Sequence, residues 1–260
     1  MTAKVSVEDR GAVRTLRITR PDQRNCVDGE TADGLARAID AFAADERLRV
    51  LVVAGEGEAA FCAGADLKAA PSLFQHEHVD RAGPMGFARL DPGKPTLAAI
   101  EGYCFAGGME LAAWCDVRIG AEGSEYGCLS RRFGIPYVDG GTQRFPRILG
   151  TGNALHLLLT GARIDARRAY EMGFLQELVP RGRALGRVQE LAATIAAYPN
   201  FASIRADRRA ALEGQSLSLD EALLLEARVV RPALFGPDGG ISTEIVEALV
   251  RFAREKASRV

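Results

Sequence analysis

Residues 50–53 read Val-Leu-Val-Val, an apolar run with no polar alternation. A strand of that kind has to be covered on both faces, and such strands belong mostly to parallel sheets flanked by helices. The preceding residues prepare it. Between 13 and 19, Leu16 and Ile18 alternate with Thr15, Arg17 and Thr19, the mark of a half-exposed strand. A turn at Arg20-Pro21-Asp22 follows, then a segment that Thr31 can cap, with Leu35, Ile39 and Phe42 on one helical face. Strand, helix, buried strand is a crossover unit, which favours parallel pairing.

The alternation continues. Residues 95–100 read as a second buried strand, followed by Gly102 and a helical stretch through Trp114, and 117–120 as a short strand. Thr151 opens a helix that Gly161 closes, and Asp165 opens another with Gly173 at its end. Residues 175–179 form a strand stopped by Pro180. From Gly186 onward strand signals cease. Ser218 and Glu221 make a capping box, and a last helix is expected over about 242–256. The expected division is an α/β part, 1–185, and a helical region, 186–260. Residues 69–93 are irregular, and a loop that long in a compact domain is often functional or mobile.

The 260 residues suit one large domain, or a main domain with a helical appendage. A formal net charge of -1 argues against nucleic acid as the main partner. No apolar stretch is long enough for a bilayer, and the charged residues among the first twenty speak against a signal peptide. Five scattered cysteines make neither a CxxC pair nor a disulfide framework, so reduced thiols and a cytoplasmic location are expected. With three histidines and no clustered thiols, no metal site is expected.

Two glycine-rich turns follow buried strands: Phe61-Cys62-Ala63-Gly64-Ala65-Asp66-Leu67, and residues 102–111 with Gly102, Gly107, Gly108 and Glu110. Small residues at such turns let a ligand approach the backbone. If a helix starts after each turn, its first N–H groups are free, and two of them converging on one oxygen make an oxyanion hole. Ordinary strand-to-helix turns would look the same, taken singly. A dinucleotide-binding turn is disfavoured because the second motif lacks the G-x-G-x-x-G spacing.

These residues resemble the crotonase (enoyl-CoA hydratase/isomerase) superfamily over nearly the whole chain. Residues 20–25, 60–67, 102–111, 140–144 and 159–161 match its signatures in order. The resemblance implies an α/β spiral of ββα units with a C-terminal helical trimerisation region, working as a homotrimer or dimer of trimers. It implies an acyl-CoA thioester as substrate, coenzyme A arriving with it and no other cofactor. Ala63 and Gly107 are implied as the oxyanion-hole amides. Arg24, Cys26 and Val27 are implied along CoA, with Ala63, Gly64, Ala65, Asp66, Leu67 and Gly107 completing the thioester-binding segment; Phe252 and Lys256 are implied as further contacts from the last helix. An acyl-CoA-binding protein with little turnover is the alternative.

Glu110 occupies the place of one of the two glutamates of the family's hydratases, while Ser130 falls where the second is expected. Serine is no carboxylate base, so Asp139, before Gly140-Gly141, is the candidate replacement; an Asp-Gly turn bonded to its own backbone is the other reading. Arg131 and Arg132 are candidates to pair with Asp139 or a substrate carboxylate. His76 and His78 are expected to be polar loop residues, and Trp114 core. The acyl pocket is expected from the 69–93 loop and the helical tail.

Overall fold

The computed structural model describes residues 3–236 and 238–257, and the side chains through Arg254. The expected contact from the Lys256 side chain lies outside these. Ten strands are formed: β1 (Val5–Arg10), β2 (Val13–Ile18), β3 (Val50–Gly55), β4 (Ala60–Cys62), β5 (Thr96–Ile100), β6 (Tyr103–Phe105), β7 (Val117–Ala121), β8 (Glu125–Gly127), β9 (Arg163–Asp165) and β10 (Glu177–Val179). The α-helices are α1 (Gly29–Ala44), α2 (Val79–Ala82), α3 (Gly107–Trp114), α4 (Gly141–Leu149), α5 (Thr151–Thr160), α6 (Ala166–Glu171), α7 (Ala184–Ala197), α8 (Phe201–Glu213), α9 (Leu219–Leu234) and α10 (Thr243–Ala257).

The six-stranded sheet has the order β1-β2-β3-β5-β7-β10, and the four-stranded sheet β4-β6-β8-β9. Only the pairs β1–β2 and β8–β9 are antiparallel. Each pass of the chain therefore lays one strand in the large sheet and the next in the small one: β3 then β4, β5 then β6, β7 then β8. This is the coil of ββα units that the family resemblance implied. The apolar run of β3 is buried from Val50 to Ala54, as a strand covered on both faces must be.

The helix expected after Arg20 begins earlier than Thr31. Asp28 is the cap; its Oδ1 accepts from the Thr31 N–H at 2.9 Å and the Thr31 hydroxyl at 2.7 Å. The Ser218–Glu221 capping box is present on α9, and Asp165 caps α6. Gly161 closes α5 in the left-handed region, φ 62°.

Two compact units result. One contains all ten strands and ends at Ala193; the other comprises Gly93–Pro95 and the segment from Thr194. Within the second, α8 packs on α9 and Asn200 Nδ2 donates to the Ala233 carbonyl at 2.8 Å. Among the described residues no helix is long and apolar enough to cross a membrane, and no group of three or more His, Cys, Asp or Glu could hold a metal. The five cysteines form no disulfide.

Candidate active site

The site forms where β4 and β6, neighbours in the small sheet, run out at the same end. Beyond β6, Ala106 takes an unfavourable conformation for a residue with a side chain, φ 50° and ψ -121°, and α3 starts at Gly107. The Gly107 N–H is a first-turn donor with no acceptor among the described residues. Beyond β4, the Gly64 carbonyl accepts from the Val27 N–H at 2.9 Å, and the Asp66 N–H donates to the Val27 carbonyl at 2.7 Å. That register leaves the Ala65 N–H on the other side of the strand, again with no acceptor among the described residues. Gly64 is in the left-handed region at φ +99°, and a methyl group there would stand 3.0 Å from the Gly107 nitrogen. The two strand ends meet because Gly64 has no side chain.

Ala63 does not fit the role expected of it. Its N–H donates to the Arg24 carbonyl at 3.1 Å, closing the turn that carries Arg24 in the left-handed region, φ 52°. Buried Asn25 fixes the same turn: its Oδ1 accepts from the Arg20 N–H at 3.0 Å and its Nδ2 donates to the Ala60 carbonyl at 2.7 Å. The amide left available on this segment is that of Ala65.

A cavity of about 250 Å³ opens over these amides. Arg24, Ala63, Ala65, Leu67, Gly107, Glu110 and Asp139 line it, as does Ser130. Cys26, Val27, Gly64 and Asp66 do not. The Val27 side chain is fully buried, and Asp66 is engaged by Arg20 Nη2 at 2.8 Å, a partly buried pair. The expected acyl wall is also corrected. From the irregular segment only Met85 lines the cavity; its apolar lining comes from Leu129, Phe133, Ile135, Pro136 and Val138, and Phe105 and Arg163 line it as well. The exposed apolar side chains of Phe133, the last residue of a short 3-10 turn, and Ile135 just after it are the signal that sequence reading passed over.

Glu110, on the first turn of α3, is buried. Its Oε1 accepts from the Asp139 N–H at 3.0 Å and the Gly141 N–H at 2.8 Å. Burial nevertheless pushes its carboxyl up to about 8, the Asp139 charge adding and the two N–H groups and Arg144 opposing. Asp139 is buried as well and shifted upward, chiefly by the loss of water. Its Oδ1 accepts from the Met85 N–H at 3.0 Å. Arg144 donates to the Asp139 carbonyl at 3.2 Å, and both Arg89 and Arg144 act on the Asp139 carboxyl by their charge; Arg131, one of the expected partners, donates to the Leu158 carbonyl at 3.3 Å. His76 and His78 both face Asp33 Oδ1 at 3.0 Å and stay outside the cavity lining, and Trp114 is core, its Nε1 donating to the Leu90 carbonyl at 2.8 Å.

The coiled ββα passes and a cavity over a raised carboxyl and two uncommitted amides define a protein of the crotonase superfamily. The family model for enoyl-CoA hydratase/isomerase matches residues 8–231. The crotonyl-CoA hydratase of Syntrophomonas wolfei is 32% identical over 226 residues, 86% of each chain. The carnitinyl-CoA dehydratase of Proteus mirabilis is 34% identical over 200 residues, 75% of this chain and 76% of that one. A probable enoyl-CoA hydratase/isomerase from Mycobacterium abscessus superposes with a TM-score of 0.87 at 33% identity, covering 98% of this chain and 97% of that one. The chain belongs to the enoyl-CoA hydratase/isomerase family, and it is an enzyme of that family.

Proposed function

We propose that the enzyme acts on an acyl-CoA thioester whose carbonyl oxygen is held by the Ala65 and Gly107 N–H groups while Glu110 moves a proton at the acyl chain. The observation that carries this is the pair of acceptor-free amides at the ends of adjacent parallel strands. Neighbouring strands lie about 4.8 Å apart, so one oxygen between them can sit about 2.9 Å from both nitrogens. As an α-proton leaves or arrives, charge passes to that oxygen as an enolate. Two preset donors stabilise it without reorganising, and losing one donor typically costs about 3 kcal/mol.

Glu110 is suited to the proton step. Both N–H donors address Oε1, so a proton on the carboxyl is confined to Oε2. A carboxyl that titrates near 8 exchanges protons readily at neutral pH. Asp139 is the second carboxyl at the cavity, and in this reading it assists Glu110 in place of a carboxylate at Ser130. Hydration, isomerisation or another enolate step is compatible with this arrangement. Coenzyme A comes with the substrate and no further cofactor enters. In this reading the enzyme works as a homotrimer or dimer of trimers, with the exposed Leu219, Leu223 and Leu224 of α9 as apolar surface for assembly.

The test is turnover of enoyl-, dienoyl- and hydroxyacyl-CoA esters followed by mass spectrometry, with Glu110→Gln alongside. Conversion lost in the variant, with acyl-CoA binding retained, supports the assignment. Binding without conversion by the unaltered enzyme leads to the alternative of an acyl-CoA-binding protein. Unchanged conversion by Glu110→Gln overturns the role of Glu110.

A further inference from the structure

Arg144 stands in the first turn of α4, half-buried and outside the cavity lining. Its guanidinium bridges two main-chain segments that flank the site. Nη1 donates to the Asp139 carbonyl at 3.2 Å and Nη2 to the Ala88 carbonyl at 2.7 Å. The first carbonyl belongs to the turn 139–141, whose Asp139 and Gly141 N–H groups both donate to Glu110 Oε1. The second belongs to the loop that carries Met85, and that loop returns to the same turn through the Met85 N–H on Asp139 Oδ1. Gly140, in the left-handed region at φ +98°, lets the guanidinium lie on the turn, because a side chain there would run into Nη1. A rigid fork of donors suits such a bridge, since it reaches two carbonyls at once. Both hydrogen bonds go to carbonyls, not to a carboxylate. Loss of water disfavours the buried charge, and the charges of Glu110 and Asp139 are among those that favour it.

We infer that Arg144 is a positioning residue for the proton step: it holds the 139–141 turn so that two N–H donors converge on Glu110 Oε1, and its positive charge favours the ionised form of Glu110. The inference rests on the acyl-CoA reading above. The groups facing Glu110 are few. Asp139 opposes its ionisation by charge, and Arg144 favours it. The Cys128 thiol and the Tyr137 phenol are kept protonated at neutral pH, chiefly by burial. Arg89 and His76 act on Asp139 from the loop side. Without Arg144, the Glu110 carboxyl would lose the cation that offsets Asp139, and the turn would lose its tie to the Ala88 carbonyl. Because Arg144 does not line the cavity, its effect reaches the substrate only through Glu110.

The experiment is carbon-13 NMR of the glutamate carboxyl carbons from pH 6 to 11 without ligand, in the unaltered enzyme, Arg144→Met and Arg144→Lys. The Glu110 signal is the one that Glu110→Gln removes. Arg144→Met should move the Glu110 titration to higher pH by about half a pH unit or more, whereas Arg144→Lys, which keeps the charge, should leave it within about 0.3. In turnover of an acyl-CoA ester that the unaltered enzyme converts, Arg144→Met should lower kcat about tenfold at pH 7.5 and change KM less than about twofold. Arg144→Lys should fall between, since an ammonium lacks the fork. A merely structural role would lower stability without moving the titration. A Glu110 titration that stays in place in Arg144→Met overturns the inference, and so does a loss confined to KM. If the titration moves but the unaltered enzyme converts no ester, the acyl-CoA reading is overturned and the coupling of Arg144 to Glu110 stands. If Arg144→Met fails to fold, Arg144→Gln, which keeps a donor for one carbonyl and drops the charge, decides by the same shift.

Discussion

The Asp139 main-chain N–H donates to Glu110 Oε1 at 3.0 Å, while the Asp139 side chain accepts from the Met85 N–H, also at 3.0 Å. One residue thus holds the Glu110 carboxyl through its backbone and anchors the Met85 loop through its side chain. Asp139 also adds to the upward shift of Glu110 by its charge.

Glu110→Gln should abolish turnover, with kcat down by a factor on the order of 10³. It should also stabilise the fold at neutral pH. The unfolded glutamate loses its proton near 4.5 and the folded one near 8, so the folded state holds more protons between these values and stability falls as pH rises through them. Removing the titration should raise stability by on the order of 4 kcal/mol at pH 7.5 and leave it nearly unchanged at pH 4. Denaturant melts of both proteins at the two pH values check this; equal differences at both would contradict it.

The pH profile should bend near 8. In the direction where Glu110 takes a proton from the acyl chain, kcat/KM rises toward pH 8 and levels off above it; in the direction where it delivers one, kcat/KM falls across the same range. Initial rates from pH 6 to 10 in both directions decide it, and a flat profile there excludes Glu110 as the titrating group.

Asp139→Asn keeps an acceptor for the Met85 N–H and removes a charge beside Glu110. The bend should move to lower pH, and kcat should fall by about tenfold or more if Asp139 carries a proton. Asp139→Ala loses the acceptor too and should be destabilised by about 1–3 kcal/mol relative to Asn, because the Met85 N–H is left unpaired. Comparing the two variants by pH-rate curves and thermal melts separates electrostatic from tethering effects.

Gly108→Ala should be among the most damaging single changes. The added methyl would stand 1.9 Å from the Cys62 carbonyl oxygen, and main chain cannot step aside as a side chain can. A loss of about 2–4 kcal/mol, or no soluble protein, is expected. Gly152→Ala, in α5 where nothing lies within 4 Å of the added atom, should melt at or slightly above the unaltered protein, by up to about 1 kcal/mol, and serves as the control.

Much of the large sheet was readable before any coordinates. The runs of β3 and β5 are continuous and apolar, and the alternation of β2 is clear, because these strands are long enough for a pattern to repeat. The small sheet was not. β4, β6, β8 and β9 have three residues each, too few for any period, and they exist because the coil carries the chain past them. The glycine turns located the site to within two residues, yet Ala63 and Ala65 cannot be told apart by composition. Only the register against Arg24 and Val27 assigns which amide is spent. The apolar wall at 129–139 lay in a stretch with polar neighbours, where exposure rather than periodicity is the signal.

The close meeting of Gly64 with the first residue of α3 has a consequence for how such a protein can drift. In the proposed reading the grip on the thioester is built from main chain, so substitutions away from Gly64, Gly107 and Gly108 find little lever on it. The selective wall, by contrast, is all side chain. Mutation can thus reshape the side-chain lining of the cavity while the main-chain arrangement at residues 64–65 and 107 stays as it is.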